Sequence, residues 1–155
     1  MRLFSLVLSL ATLTACISNP DRCEDPHPTD PTTETFATQL QIDLNQMTRT
    51  AAGVFFRDVV VGPGAELTAP RTVEVFYVAY LKDGTVVDQQ LQQPIQLNLQ
   101  TSVAPGVTDG MLGMNVGGRR LLVVPSALAL GACSKGPIPA NVTLVYEIEL
   151  VSLVP

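Results

Sequence analysis

VEVFYVAYLKDGTVVD, residues 73 to 88, is the stretch on which the fold turns. Its first nine residues are dominated by Val, Phe, Tyr and Leu, side chains that pack well on a pleated surface. Val73, Val75, Tyr77, Ala79 and Leu81 share one face at a period of two, with Glu74 and Lys82 on the other. Asp83-Gly84 then supplies residues tolerant of positive φ, and Thr85-Val86-Val87 resumes an extended run. The pattern predicts a β-hairpin. It delivers Asp88, a lone carboxylate, just past an apolar strand.

Outward from the hairpin, the chain alternates short apolar runs with breakers. Gly53-Val54-Phe55-Phe56 and Val59-Val60-Val61 are extended segments closed by Gly62-Pro63-Gly64. After the hairpin, Gln89 to Gln93 is expected to be a polar turn. Pro94 then introduces Ile95, Leu97 and Leu99, alternating with Gln96, Asn98 and Gln100 as a half-buried strand does. Pro105-Gly106 breaks the chain, Val107 to Met114 allows two helical turns, and Gly117-Gly118 ends them. Arg119 to Val124 is another strand and Ser126 to Ile138 a loop. Val142, Leu144, Tyr146, Ile148 and Leu150 then alternate with Thr143, Glu147 and Glu149 in a last strand. The expected class is α+β: one short helix against a five-strand, mostly antiparallel sheet.

At 155 residues, one domain with a real core is expected. Hydrophobic residues make up 46% but aromatics only 5%, and Trp is absent, so the core is mainly aliphatic. A net charge of -5 argues against nucleic acid as a partner, because phosphate binding needs a basic patch. The neighbours Arg119-Arg120 do not make one, and are expected to flank a strand. The single His, His27, lies in a proline-rich segment. That removes Ser-His-Asp and Cys-His catalysts and leaves no convincing zinc site. No cofactor is implied.

The N-terminus has the form of an export signal. Met1-Arg2 is a basic start, and Leu3 to Leu13 is an apolar run too short to span a bilayer. Leu13-Thr14-Ala15-Cys16 resembles the lipobox of bacterial lipoproteins. The resemblance implies cleavage before Cys16 and acylation of it, which would anchor the chain to a membrane. With Ile17 after the Cys, it points to the outer membrane, facing the periplasm, in a host with two membranes. Residues 1–15 are then the signal peptide. Residues 16–47, with Pro20, Pro26, Pro28 and Pro31 among acidic side chains, read as a stiff solvated tether, and 48–155 as the folded domain. Cys23 and Cys133 are left either as free thiols or as a disulfide, which an exported protein permits.

Several of these pieces together resemble an FKBP-type peptidyl-prolyl cis-trans isomerase domain. They are Gly53-Val-Phe-Phe-Arg-Asp-Val with Gly62-Pro-Gly64, then Val75-x-Tyr77 through Asp83-Gly84 to Asp88. Pro94-Ile95, Val103-Ala-Pro-Gly106, Gly110-Met-Leu-Gly-Met114 with Val116-Gly117, and Arg119 to Pro125 continue the series. Leu128-Ala-Leu-Gly131 and Ile138-Pro139-x-Asn141 through Leu150 complete it. The resemblance implies a sheet wrapped around one short helix, and proline-containing polypeptides as clients. By the same resemblance Tyr77 and Asp88 belong to a prolyl pocket. Val103 and Ala104 occupy the segment whose backbone bonds the ligand, and Tyr146 stands where an aromatic is expected.

Four positions of the resemblance are trimmed. Val87 and Ile95 stand where Phe is usual, Val107 where a Trp forms the pocket floor, and Leu130 where a Tyr supplies a hydroxyl. The turn after Asp88 is short and lacks the basic residue that usually accompanies this carboxylate. Replacing one buried aromatic by Val removes contact on the order of 100 Å², about 2.5 kcal/mol at ~25 cal/mol/Å². Three functions stay open: a membrane-tethered isomerase with reduced activity, a binding module without turnover, and an envelope scaffold.

Overall fold

The computed structural model describes Cys23, Glu24 and residues 26–155. Cys16 and the apolar run of residues 3–13 lie outside the described residues. Six strands make one sheet: β1 (Thr48–Arg49), β2 (Phe55–Val60), β3 (Thr72–Leu81), β4 (Val86–Asn98), β5 (Arg119–Val124) and β6 (Leu144–Leu153). Their order across it is β1-β2-β5-β6-β3-β4, and every pairing is antiparallel. One short helix, α1 (Pro105–Met111), packs against β5. The sixth strand is the two-residue β1, too short to announce itself by alternation.

The hairpin forms as expected from Asp83-Gly84. Gly84 sits at φ 88°, and the Asp83 carboxylate accepts from the Thr85 amide at 2.8 Å, which holds its pKa below the usual carboxylate value. Beyond it, the Gln-rich turn does not exist as a turn. β4 runs straight through residues 89–93. Tyr77 faces Gln90 and Val75 faces Ile95, so two steps along β3 meet five along β4. The three surplus residues swell out as a bulge closed by the Gln90 side-chain amide donating to the Gln93 carbonyl. A bulge absorbs extra chain without ending the ladder, which is why composition alone reads it as a turn.

β5 is the centre of the molecule. Its run Arg-Arg-Leu-Leu-Val-Val is buried on both faces after the first residue, as a continuous apolar run suggests. Leu122 and Val124 join Val73, Val75, Val107, Met111, Ile148 and Leu150 in the larger core beneath α1. The helix comes close because Gly110 faces the sheet; a Cβ there would meet Leu122 at 2.9 Å. Arg120, 3% exposed, is not a flanking residue at all. It makes a bidentate pair with Asp58 at 2.7 and 3.0 Å and donates to the carbonyls of Gly110 and Leu112. Its guanidinium also stacks over Phe56. The buried charge is paid for by these partners, which pin the end of α1 to the sheet.

On the other face, Leu121, Val123, Val145 and Phe55 form a second core with Leu40. Phe36, Ile42, Leu44 and Met47 pack against it, so the segment read as a tether is bound to the domain from the first described residue. Ala37 donates to the Lys82 carbonyl, Lys82 pairs with Glu34 at 2.9 Å, and Arg57 donates to the Gln41 carbonyl. Further upstream, Thr29 exchanges hydrogen bonds with Ser126, and Cys23 is disulfide-bonded to Cys133. We call residues 23–47 the strap. Its polar composition suggested a solvated spacer, but a few apolar side chains and backbone partners suffice to hold it.

Candidate active site

β3, β4 and β6 bring the site together. Ala79 of β3 lies directly opposite both Asp88 of β4 and Tyr146 of β6, so these three residues form a row across the sheet. Tyr77, two residues along β3 on the same face, donates its hydroxyl to Asp88 Oδ2 at 2.7 Å. Behind them Ile148 of β6 is paired with Tyr77 and fully buried. Val103 and Ala104 approach from the turn that leads into α1. Thr108 fastens that turn by donating to the Leu99 carbonyl at 2.6 Å.

Between these elements lies an open cavity of about 390 Å³ with a mostly apolar wall. Tyr77, Val87, Asp88, Val103, Ala104, Val107, Leu130 and Tyr146 all line it. Ile95 does not. The β4 bulge sets it opposite Val75, against the main core, and Leu97 lines the cavity instead. Leu97 has the same alternation as Ile95, so strand period alone could have nominated it. Ser102, Lys135, Gly136, Pro137 and Ile138 complete the rim. No local pattern identifies the Lys135–Ile138 turn, because only the loop's fold carries it to the mouth.

Burial dominates the electrostatics of the two tyrosines. It raises the Tyr77 phenol strongly, with the hydrogen bond to Asp88 and that carboxylate's charge adding to the effect. Tyr146 is pushed up to about 12 by burial and, less, by Asp88. Both are neutral hydroxyls over the ordinary pH range. The cavity therefore offers apolar walls, two phenols, one carboxylate and the backbone of residues 103–104. Nothing in it is arranged as a nucleophile with its base. Among the described residues no group of three or more His, Cys, Asp or Glu side chains could hold a metal ion. Such a cavity can enclose a compact apolar ring and orient a neighbouring amide by hydrogen bonds.

The family profile of the FKBP-type peptidyl-prolyl cis-trans isomerases matches residues 64–151, more than half the chain and every element of this cavity's wall. The chain belongs to the FKBP-type peptidyl-prolyl cis-trans isomerase family. It is 46% identical over 86 residues to FK506-binding protein 2 of Yarrowia lipolytica, covering 53% of this chain and 60% of that one. With the FK506-binding protein of Neisseria meningitidis serogroup B it shares 34% over 105 residues, 65% of this chain and 96% of that protein. Among solved structures, a peptidyl-prolyl cis-trans isomerase of Pseudomonas syringae pv. tomato superposes with a TM-score of 0.65 at 33% identity, over 71% of this chain and 82% of that one. The chain spans only 28% of the length of another relative, FK506-binding protein 4 of Dictyostelium discoideum. FKBP-like chains are thus the neighbours in both sequence and fold.

Proposed function

We propose that this FKBP-family chain is a lipid-anchored peptidyl-prolyl cis-trans isomerase of the cell envelope, with activity reduced by its aliphatic cavity walls. Rotation about an X-Pro bond crosses a barrier of roughly 18–20 kcal/mol, because the twisted amide loses its resonance. Catalysis needs no acid, base or nucleophile. It needs a dry, shaped cavity that fits the twisted amide better than either planar form. The observation that carries the reading is the convergence of Tyr77, Asp88, Val103, Ala104 and Tyr146 around one apolar cavity of about 390 Å³. The prolyl ring enters between Tyr77, Tyr146 and Val107. The backbone of Val103 and Ala104 holds the client's own amides, and the Tyr77–Asp88 pair closes one side.

The aliphatic walls favour a second reading, a module that grips proline-containing or extended segments without turnover. Val87, Val107 and Leu130 all line the cavity and offer an incoming ring less contact than aromatics. A protease-free proline-isomerisation assay on the full-length chain separates the two. Rates above background across several residues before proline support the enzyme; background rates with measurable peptide binding support the module. Clients are proline-containing polypeptides, and the membrane is reached through Cys16, whose lipobox-like context supports the envelope location. Labelled palmitate should enter the wild type and not Cys16→Ala; equal labelling of both overturns the anchor.

A further inference from the structure

Among the described residues, the cavity mouth carries one cation, on a backbone that is tied down. Lys135 is the sole basic side chain, and Asp88 the sole acidic one, among the described residues that line the cavity. Asp88 already accepts the Tyr77 hydroxyl. Lys135 forms no ion pair with any described carboxylate. Its backbone is nonetheless held firmly. The Lys135 amide donates to the Ile138 carbonyl at 2.9 Å and Ile138 returns the bond at 3.0 Å, with Gly136 at φ 53° making the turn. The Asn141 amide closes the loop's base on the Gly131 carbonyl at 2.7 Å. Two residues before Lys135, the Cys23–Cys133 disulfide fastens the loop to the strap. An exposed lysine is ordinarily unremarkable. One at a cavity rim on a stapled turn, with no carboxylate among the described residues to neutralise it, can act on whatever lies in the cavity.

We infer that Lys135 is a specificity-determining residue that selects clients with a carboxylate side chain beside the proline. This rests on the isomerase reading of the site. The chain's net charge of -5 repels acidic segments at long range, but beyond roughly 8 Å that repulsion is screened at physiological salt. At the mouth, the ammonium dominates for any client side chain placed away from Asp88. An exposed pair of this kind is weak, so the expected selectivity is about two- to fivefold.

The test uses the full-length chain and two pairs of proline peptides: Glu or Gln immediately before the proline, and Glu or Gln immediately after it. The readout is the ratio of kcat/KM for the Glu and Gln members within each pair, so the folded fraction of a preparation cancels. The wild type should favour Glu about two- to fivefold in at least one pair. That preference should vanish in Lys135→Met, invert in Lys135→Glu, and fade at about 1 M salt, where the Debye length is ~3 Å. A ratio of one in both wild-type pairs, or a Glu preference that survives Lys135→Met, overturns the assignment. If no peptide turns over, the isomerase reading itself falls, and the same ratios taken from dissociation constants decide the role of Lys135 alone.

Discussion

The Tyr77 hydroxyl donates to Asp88 across the β3–β4 hairpin at 2.7 Å, joining a half-buried phenol to a carboxylate that lines the cavity. Tyr77→Phe removes the donor and keeps the ring. A hydrogen bond to a charged partner contributes about 1.5–3 kcal/mol, less where water competes, so kcat/KM should fall roughly fivefold to tenfold. Asp88→Asn keeps a hydrogen-bonding partner for Tyr77 and should cost less than Asp88→Ala. Equal rates in Tyr77→Phe and wild type would remove the pair from the mechanism.

Restoring wall area should raise activity. Val107 is 5% exposed at the cavity's edge, and Leu130 sits on its rim. Val107→Trp can add contact worth up to about 2.5 kcal/mol if the cavity takes the ring. Leu130→Tyr can add a hydroxyl bond of about 1 kcal/mol. The double variant should bind prolyl peptides at least tenfold more tightly and turn them over faster. An unchanged rate in a folded double variant contradicts the account of weakened catalysis.

Stability should depend on oxidation. The Cys23–Cys133 bond spans 110 residues, for which the loss of unfolded-chain entropy corresponds to about 4–5 kcal/mol, with measured effects nearer 2–5. Cys133→Ser, or reduction, should lower the denaturant midpoint accordingly. It should also speed amide exchange in residues 126–141, since the loop would lose its staple. Exchange that is slow and unaltered after reduction would mean the hydrogen bonds from Thr29 and Asn141 hold the loop alone.

Arg120 should be intolerant of substitution despite lying outside the cavity. Arg120→Met removes the partner of Asp58 and frees the carbonyls of Gly110 and Leu112. The Asp58 side chain is 33% exposed, so water takes up much of its lost pairing, and the cost, roughly 1–3 kcal/mol, falls mainly on the carbonyls left without a donor. A chemical-denaturation measurement giving under 1 kcal/mol would show that the helix end is held by packing alone.

The tyrosines give a pH signature. All three, Tyr77, Tyr80 and Tyr146, have raised pKa values, chiefly from burial. Their stabilising contribution is complete below the unfolded value near 10. It shrinks as pH rises from there towards the folded-state value, about 12 for Tyr146. The folded chain should therefore show little tyrosinate absorbance at pH 10, with the melting temperature falling above it. Tyr146→Phe should flatten that fall. Early ionisation of one full tyrosine in the folded state would contradict the burial.

Much of the fold was legible because the segments are long and regular: β3, β5 and β6 follow their alternation or continuous apolar run, and Asp83-Gly84 marks its turn. What escaped did so for physical reasons. The β4 bulge looks like a turn because its glutamines satisfy either, and two residues of β1 carry no period. The strap is polar except for Phe36, Leu40, Ile42, Leu44 and Met47, whose irregular spacing suits neither a helix nor a strand, since they follow short 3₁₀ turns. The cavity was legible where residues sit on strands. Ile95 was misplaced by the bulge, and Lys135 was invisible because a loop's position is set by contacts distant in the chain.

The cross-link at Cys23 has one more consequence. Only six residues separate it from Cys16, seven steps of backbone with a reach of at most about 25 Å. With acyl groups on Cys16, the domain cannot roam on a long leash; the mouth that Cys133 borders would be held close above the lipid surface. The clients of a chain anchored in this way would be polypeptides travelling along or out of the bilayer, met at short range and at high local concentration.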